Sequence, residues 1–135
     1  MEENQSNLVE LGNKVVGVIE LPTLNVDKYV GMKPKIAKIT EHEGSFGFYI
    51  KIETEIVGVE EEIKDDNGKP LEIKASRIFG LQQDSNGNIG WGESTKLGMF
   101  LKKKGVSHYR DLVGHEVVVI SVTSASDGKD YLSFN

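Results

Sequence analysis

The sequence predicts a mainly β domain of five strands, with one α-helix between the third and fourth. Three observations predict it. Short β-branched and aromatic runs are bounded by Gly, Asn and Asp. The strongest run, residues 46–57, alternates with period two. Only residues 94–104 carry a long helical pattern. At 135 residues and 38% hydrophobic, the chain suffices for one core and one domain. Residues 1–13 (MEENQSNLVELGN) read as a loose polar tail, and 14–135 as a single domain.

The elements follow in order. Residues 15–21 (VVGVIEL) form a β-branched run stopped by Pro22, the pattern of a short edge strand. Residues 36–40 are the first main strand. Ile36 and Ile39 are three apart, so a bulge between them is needed to turn both inward. In residues 46–57, Phe46, Phe48, Ile50, Ile52 and Ile56 share the predicted core face, and Tyr49 and Lys51 the opposite one. Asp65-Asp66-Asn67-Gly68 is a turn, and residues 71–81 are the third strand. There Leu71, Ile73 and Ala75 share a face, and Ile78 is out of phase. We expect a bulge near Ser76 that turns Ile78 inward and Arg77 and Phe79 outward. Without it, Arg77 faces the core beside Phe79, a costly position unless paired.

Residues 82–92 (QQDSNGNIGWG) are a Gly/Asn-rich loop. The helix over 94–104 follows from Leu97, Phe100 and Leu101 on one face and from Ser94 or Thr95 as cap. Lys102, Lys103 and Lys104 occupy its last turn, and Gly105 terminates it. A second short turn spans 107–112 and ends at Gly114. Residues 117–122 and 131–134 are the last strands, joined at Asp127-Gly128. Asp27-Lys-Tyr-Val-Gly31 and Arg110-Asp-Leu-Val-Gly114 echo each other as loop-to-strand lead-ins.

The order strand, strand, strand, helix, strand, strand over residues 32–134 resembles the OB-fold, a five-stranded Greek-key barrel with a helix between strands three and four. Lys51-Ile-Glu-Thr-Glu, Ser94-Thr-Lys-Leu-Gly98 and Leu112-Val-Gly-His-Glu-Val-Val-Val119 look similar to stretches of small phage and archaeal single-strand-binding proteins. The resemblance implies an OB-like barrel that binds single-stranded nucleic acid, DNA favoured over RNA. It also implies that the ligand lies on the outer face of strands two and three.

Charge first argues against a polyanion partner, since the chain is −5 overall. The charge is segregated, however. Residues 53–66 hold seven acids against Lys64 alone, a local −6, so the rest of the chain sums to +1. Residues 28–40 and 94–110 carry lysines and Arg110 without an acid between residues 28 and 40 or 94 and 110. Local fields of this kind steer ligands despite an acidic total.

Single strands are held by aromatic stacking and by cations that track phosphates. The expected nucleic-acid site is Lys38, Tyr49, Lys51, Arg77, Phe79, Trp91, Lys102, Lys103 and Lys104. Each has a plainer reading. Arg77 could pair with Glu53 or Glu55, Trp91 could fold down as a plug, and the lysine run could be a solvated helix end. The alternative reading is a protein-interaction module that uses the acidic segment at Glu60, Glu61 and Glu62, or the strand edges.

No cofactor and no catalytic role are expected. Asp84-Ser-Asn86-Gly-Asn88 begins like a calcium loop but has Ile89 and Thr95 where Gly and Glu belong. His42, His108 and His115 lack metal-ligand spacing, and the chain has no Cys. Walker, nucleophile-elbow and dinucleotide motifs are absent from the sequence. The polar first 13 residues lack secretory-signal chemistry and no apolar run reaches the ~20 residues of a membrane span. A cytoplasmic protein is therefore expected.

Overall fold

The computed structural model describes residues 24–135, so the expected tail and the 15–21 run lie outside the described residues. The strands are β1 (Ile36–Gly44), β2 (Gly47–Thr54), β3 (Gly58–Lys64), β4 (Pro70–Ile73), β5 (Ser76–Gly80), β6 (Gln82–Gln83), β7 (Ile89–Gly90), β8 (Val119–Thr123) and β9 (Asp130–Phe134). Among the described residues one α-helix, α1 (Lys96–Lys104), precedes β8. Short 3₁₀ turns span Val26–Tyr29 and Tyr109–Leu112. No helix among the described residues is long and apolar enough to cross a membrane.

β2 is the central strand of an antiparallel sheet ordered β1-β2-β5. Its alternation buries Ile50, Ile52 and Thr54 on one side and leaves Tyr49, Lys51 and Glu53 half-buried on the other. The expected bulge in β1 is present: the register with β2 shifts between Ile36 and Lys38, so that Ile36 is buried and Ile39 packs against the core. Three expected core residues are not in it. Phe48 is half-buried and lines a surface cleft instead. Phe46 stands fully exposed at the hairpin tip, and Ile56 is exposed beyond the end of β2.

The third predicted strand breaks into β4 and β5, and the second stops at Thr54, short of residue 57, with β3 a separate strand beyond the break. At the break, Thr54 is buried and its Oγ1 accepts from the Ala75 amide at 3.0 Å and donates to the Glu55 carbonyl at 2.9 Å. Past it, β3 leaves the sheet and, among the described residues, pairs only with β4. The bulge expected near Ser76 is not formed. Ile73, Ala75, Arg77 and Phe79 keep one unbroken alternation, so Phe79 is buried and Ile78 is exposed, the reverse of the expectation. Arg77 is tolerated there because its guanidinium lies 4.5 Å from the Phe79 ring centre and 5.4 Å from that of Phe100. Its Nη1 also donates to the Phe134 carbonyl at 3.2 Å. Burial lowers its pKa, yet a guanidinium stays charged.

The five-stranded OB-like barrel is not formed. Among the described residues one three-stranded sheet and three two-stranded ladders, β3-β4, β6-β7 and β8-β9, remain separate and none closes on itself. Between β5 and β9 side chains take the place of a ladder. Phe100 of α1 packs on Phe79 of β5 at 5.5 Å and on Phe134 of β9 at 5.9 Å between ring centres, and Arg77 spans to the Phe134 carbonyl. A barrel needs backbone pairing at that point.

The two echoing sequences do share a local form. Each makes a 3₁₀ turn and then a glycine in the left-handed region, Gly31 at φ 90 and Gly114 at φ 91. The segments that follow pair with each other. Gly31 N donates to Val119 O at 2.9 Å, Val117 N to Pro34 O at 2.9 Å and Ile36 N to His115 O at 2.8 Å.

The helix matches its signals closely. Thr95 caps it, accepting from the Gly98 amide at 3.1 Å, and Gly105 ends it with φ 73. Leu97, Phe100 and Leu101 are buried, each worth about 1.5–3 kcal/mol. Gly98 is required, because a Cβ there would stand 2.2 Å from the Gly92 carbonyl oxygen.

Candidate nucleic-acid interface

Strand register decides which side chains share the outer face. His42 pairs with Tyr49 and Tyr49 with Gly80; Thr40 pairs with Lys51 and Lys51 with Ile78; Lys38 pairs with Glu53 and Glu53 with Ser76. Directly paired residues project to the same side. The outer face thus collects Lys38, Thr40 and His42 of β1, Tyr49 and Lys51 of β2, and Ile78 of β5.

The Tyr49 and His42 rings stack, with centres 5.0 Å apart and planes 14° from parallel. Beside Tyr49, a Cβ on Gly80 would meet nothing within 4 Å, so the sheet is open there. Ile78 is 60% exposed, an apolar patch next to Lys51. Lys51 Nζ lies 3.5 Å from Glu53, which offsets the one acid on this face. Tyr49, Lys51 and Lys38 therefore lie together as expected. Ile78 was missed because the misplaced bulge turned it inward.

The remaining expected site residues lie elsewhere. Phe79 is core, and Arg77 is held on the core side with it. α1 packs on that same side through Phe100, so Lys102, Lys103 and Lys104 do not converge with Tyr49. Lys104 is engaged: its Nζ donates to the Glu116 carbonyl at 3.0 Å and lies 5.7 Å from the Phe100 ring centre. Burial, and then Lys103, lower its pKa. Lys102 and Lys103 are exposed.

Trp91 folds down and is half-buried against the core, with its ring edge-on to His108 at 5.1 Å and to Tyr109 at 5.4 Å. It walls a cleft of about 470 Å³ beneath the β1 edge, with Phe48 and Tyr109 among the other walls. Tyr109 donates to Glu41, and Arg110 Nη2 holds the same carboxylate at 3.0 Å. Burial first, then Glu41, push the Tyr109 phenol up to about 12. The hydrogen bonds from Tyr109 and Arg110 hold Glu41 below its usual range.

Of the acidic segment, Glu53 stays on the outer face, and Glu60, Glu61 and Glu62 are carried out of this sheet on β3. Glu60 accepts from Tyr29 and pairs with Lys28 at 2.5 Å, which ties β3 to the first 3₁₀ turn. Glu60 is thus occupied, whereas Glu61 and Glu62 are exposed. No group of three or more His, Asp or Glu among the described residues could hold a metal ion.

Comparisons with protein-family models, with curated proteins and with solved structures found no match. Function is therefore read from the side chains themselves.

Proposed function

We propose that this protein binds single-stranded nucleic acid, DNA favoured over RNA, on the outer face of β1-β2-β5, with no chemical step. The observation that carries the reading is the Tyr49–His42 stack, open on the Gly80 side and flanked by Lys51, Lys38 and exposed Ile78. A base has a π-face for such a platform whatever its identity, and lysines follow the phosphates. Binding is accordingly sequence-tolerant and weakens with salt. A cytoplasmic location is part of this proposal, in keeping with a sequence that uses no cysteine.

Exposed Glu61 and Glu62 favour a second reading, capture of a basic protein by the β3-β4 arm. Titration of labelled oligo-dT and oligo-U at low and moderate salt separates the two. The first reading predicts saturable binding that weakens as salt rises. No binding at low salt overturns it.

A further inference from the structure

We propose that the cleft under the β1 edge holds one unstacked nucleobase of the bound strand, and that it selects a base carrying an exocyclic amine. The inference rests on the single-strand reading and extends it to a second surface.

Continuity is the first argument. Among the described residues β1 is the edge strand of its sheet, and no described strand blocks passage over it. His42 stacks on Tyr49 on the outer face and also lines the cleft. Its neighbours Glu41 and Glu43 line the cleft too, as alternation along an edge strand requires. A strand lying on Tyr49 thus needs only to cross His42 for its next base to reach the cleft.

The walls are the second argument. Trp91, Phe48 and Tyr109 present aromatic surface, and the volume of about 470 Å³ admits a base with part of its sugar. Flat π-surfaces of this kind hold unstacked bases.

The polar groups decide the selectivity. Glu41 is engaged by Tyr109 and Arg110. Glu43 is exposed and has no hydrogen bond or ion pair among the described residues. A carboxylate accepts from the amine of cytosine or adenine, whereas thymine offers only its N3–H, flanked by two carbonyl oxygens that repel a carboxylate. At the mouth, Arg110 is 69% exposed and spends one nitrogen on Glu41, so its other donors can meet a phosphate. A cation there also disfavours a cationic guest.

Trp91 is the only tryptophan in the chain, so its emission reports on this cleft without any substitution. The experiment titrates the whole protein with labelled oligo-dC and oligo-dT at low salt, reading anisotropy and Trp91 emission together. The proposal predicts that oligo-dC quenches Trp91 at least twice as strongly as oligo-dT at equal saturation. In Glu43→Ala, the ratio of oligo-dC to oligo-dT affinity falls about tenfold, the size of one hydrogen bond to a charged group. Taking the ratio cancels the general gain from removing a negative charge. Binding by anisotropy with unchanged Trp91 emission, equal quenching by both oligomers, or an unchanged ratio in Glu43→Ala overturns the cleft proposal and leaves the outer-face reading standing. No anisotropy change with either oligomer overturns both.

Discussion

β2 and β3 are consecutive strands with opposite surroundings. β2 lies at the centre of a sheet, with its aromatic and basic side chains open on one face. Among the described residues β3 pairs only with short β4, and it carries three consecutive glutamates. The two regions are pinned in the same way. Tyr109, Glu41 and Arg110 tie the sheet edge to one 3₁₀ turn, and Tyr29, Glu60 and Lys28 tie the acidic arm to the other. What differs is the route of the chain after Thr54. A partner change there takes Glu60, Glu61 and Glu62 out of the sheet that carries Tyr49. Charge segregation along the sequence becomes segregation in space, and an overall −5 coexists with a sheet face that carries Lys38, His42 and Lys51.

The largest expected effect breaks the comparison at β2 itself. Ile52→Ala removes a fully buried side chain and should cost about 2–5 kcal/mol of stability by denaturant unfolding. Lys51→Ala, one position away on the other face, should stay within about 0.5 kcal/mol. Similar losses at both positions would mean that the two faces of β2 are not as different as described.

Next in size is the stacking platform. Tyr49→Ala should weaken oligo-dT binding by about 1–3 kcal/mol, roughly 5- to 150-fold. Glu61→Gln combined with Glu62→Gln should change it less than about threefold, as expected for residues off the binding face. The reverse order of effects would move the ligand to the acidic arm.

A smaller effect tests the Tyr109–Glu41 anchor. The Tyr109 pKa is raised from 10.0 to about 12, so its contribution is complete below pH 10 and lost as pH rises through about 12. Glu41 is shifted the other way. Its contribution is present above its ordinary 4.5 and lost as pH falls through its lower folded value. Thermal unfolding against pH should show both limbs, and Tyr109→Phe should flatten them. Tyr109→Phe with an unchanged profile would leave the anchor without energetic weight.

Local features were readable because local physics decides them. The helix followed from Thr95, Gly105 and the Leu97-Phe100-Leu101 spacing, and the β1 bulge from the odd interval between Ile36 and Ile39. Arg77 and Phe79 were misread for a definable reason. Simple alternation from Ile73 put both inward, and the cost of burying an arginine argued against it. Two phenylalanine rings and the Phe134 carbonyl offset that cost, and they come from positions 23 and more residues away or from the adjacent turn of the strand. Barrel closure was likewise beyond a local reading, because it depends on whether β5 and β9 meet by backbone or by side chains. Trp91 sits between two glycines that permit many paths, so its place in the cleft depended on Tyr109 and His108.

Amide chemical-shift mapping during titration with unlabelled oligo-dT tests the central claim most directly. The account predicts the largest shifts at Lys38, His42, Tyr49, Lys51 and Ile78, with residues 58–64 nearly unmoved. Shifts centred on the β3-β4 arm, or none at low salt, would contradict it.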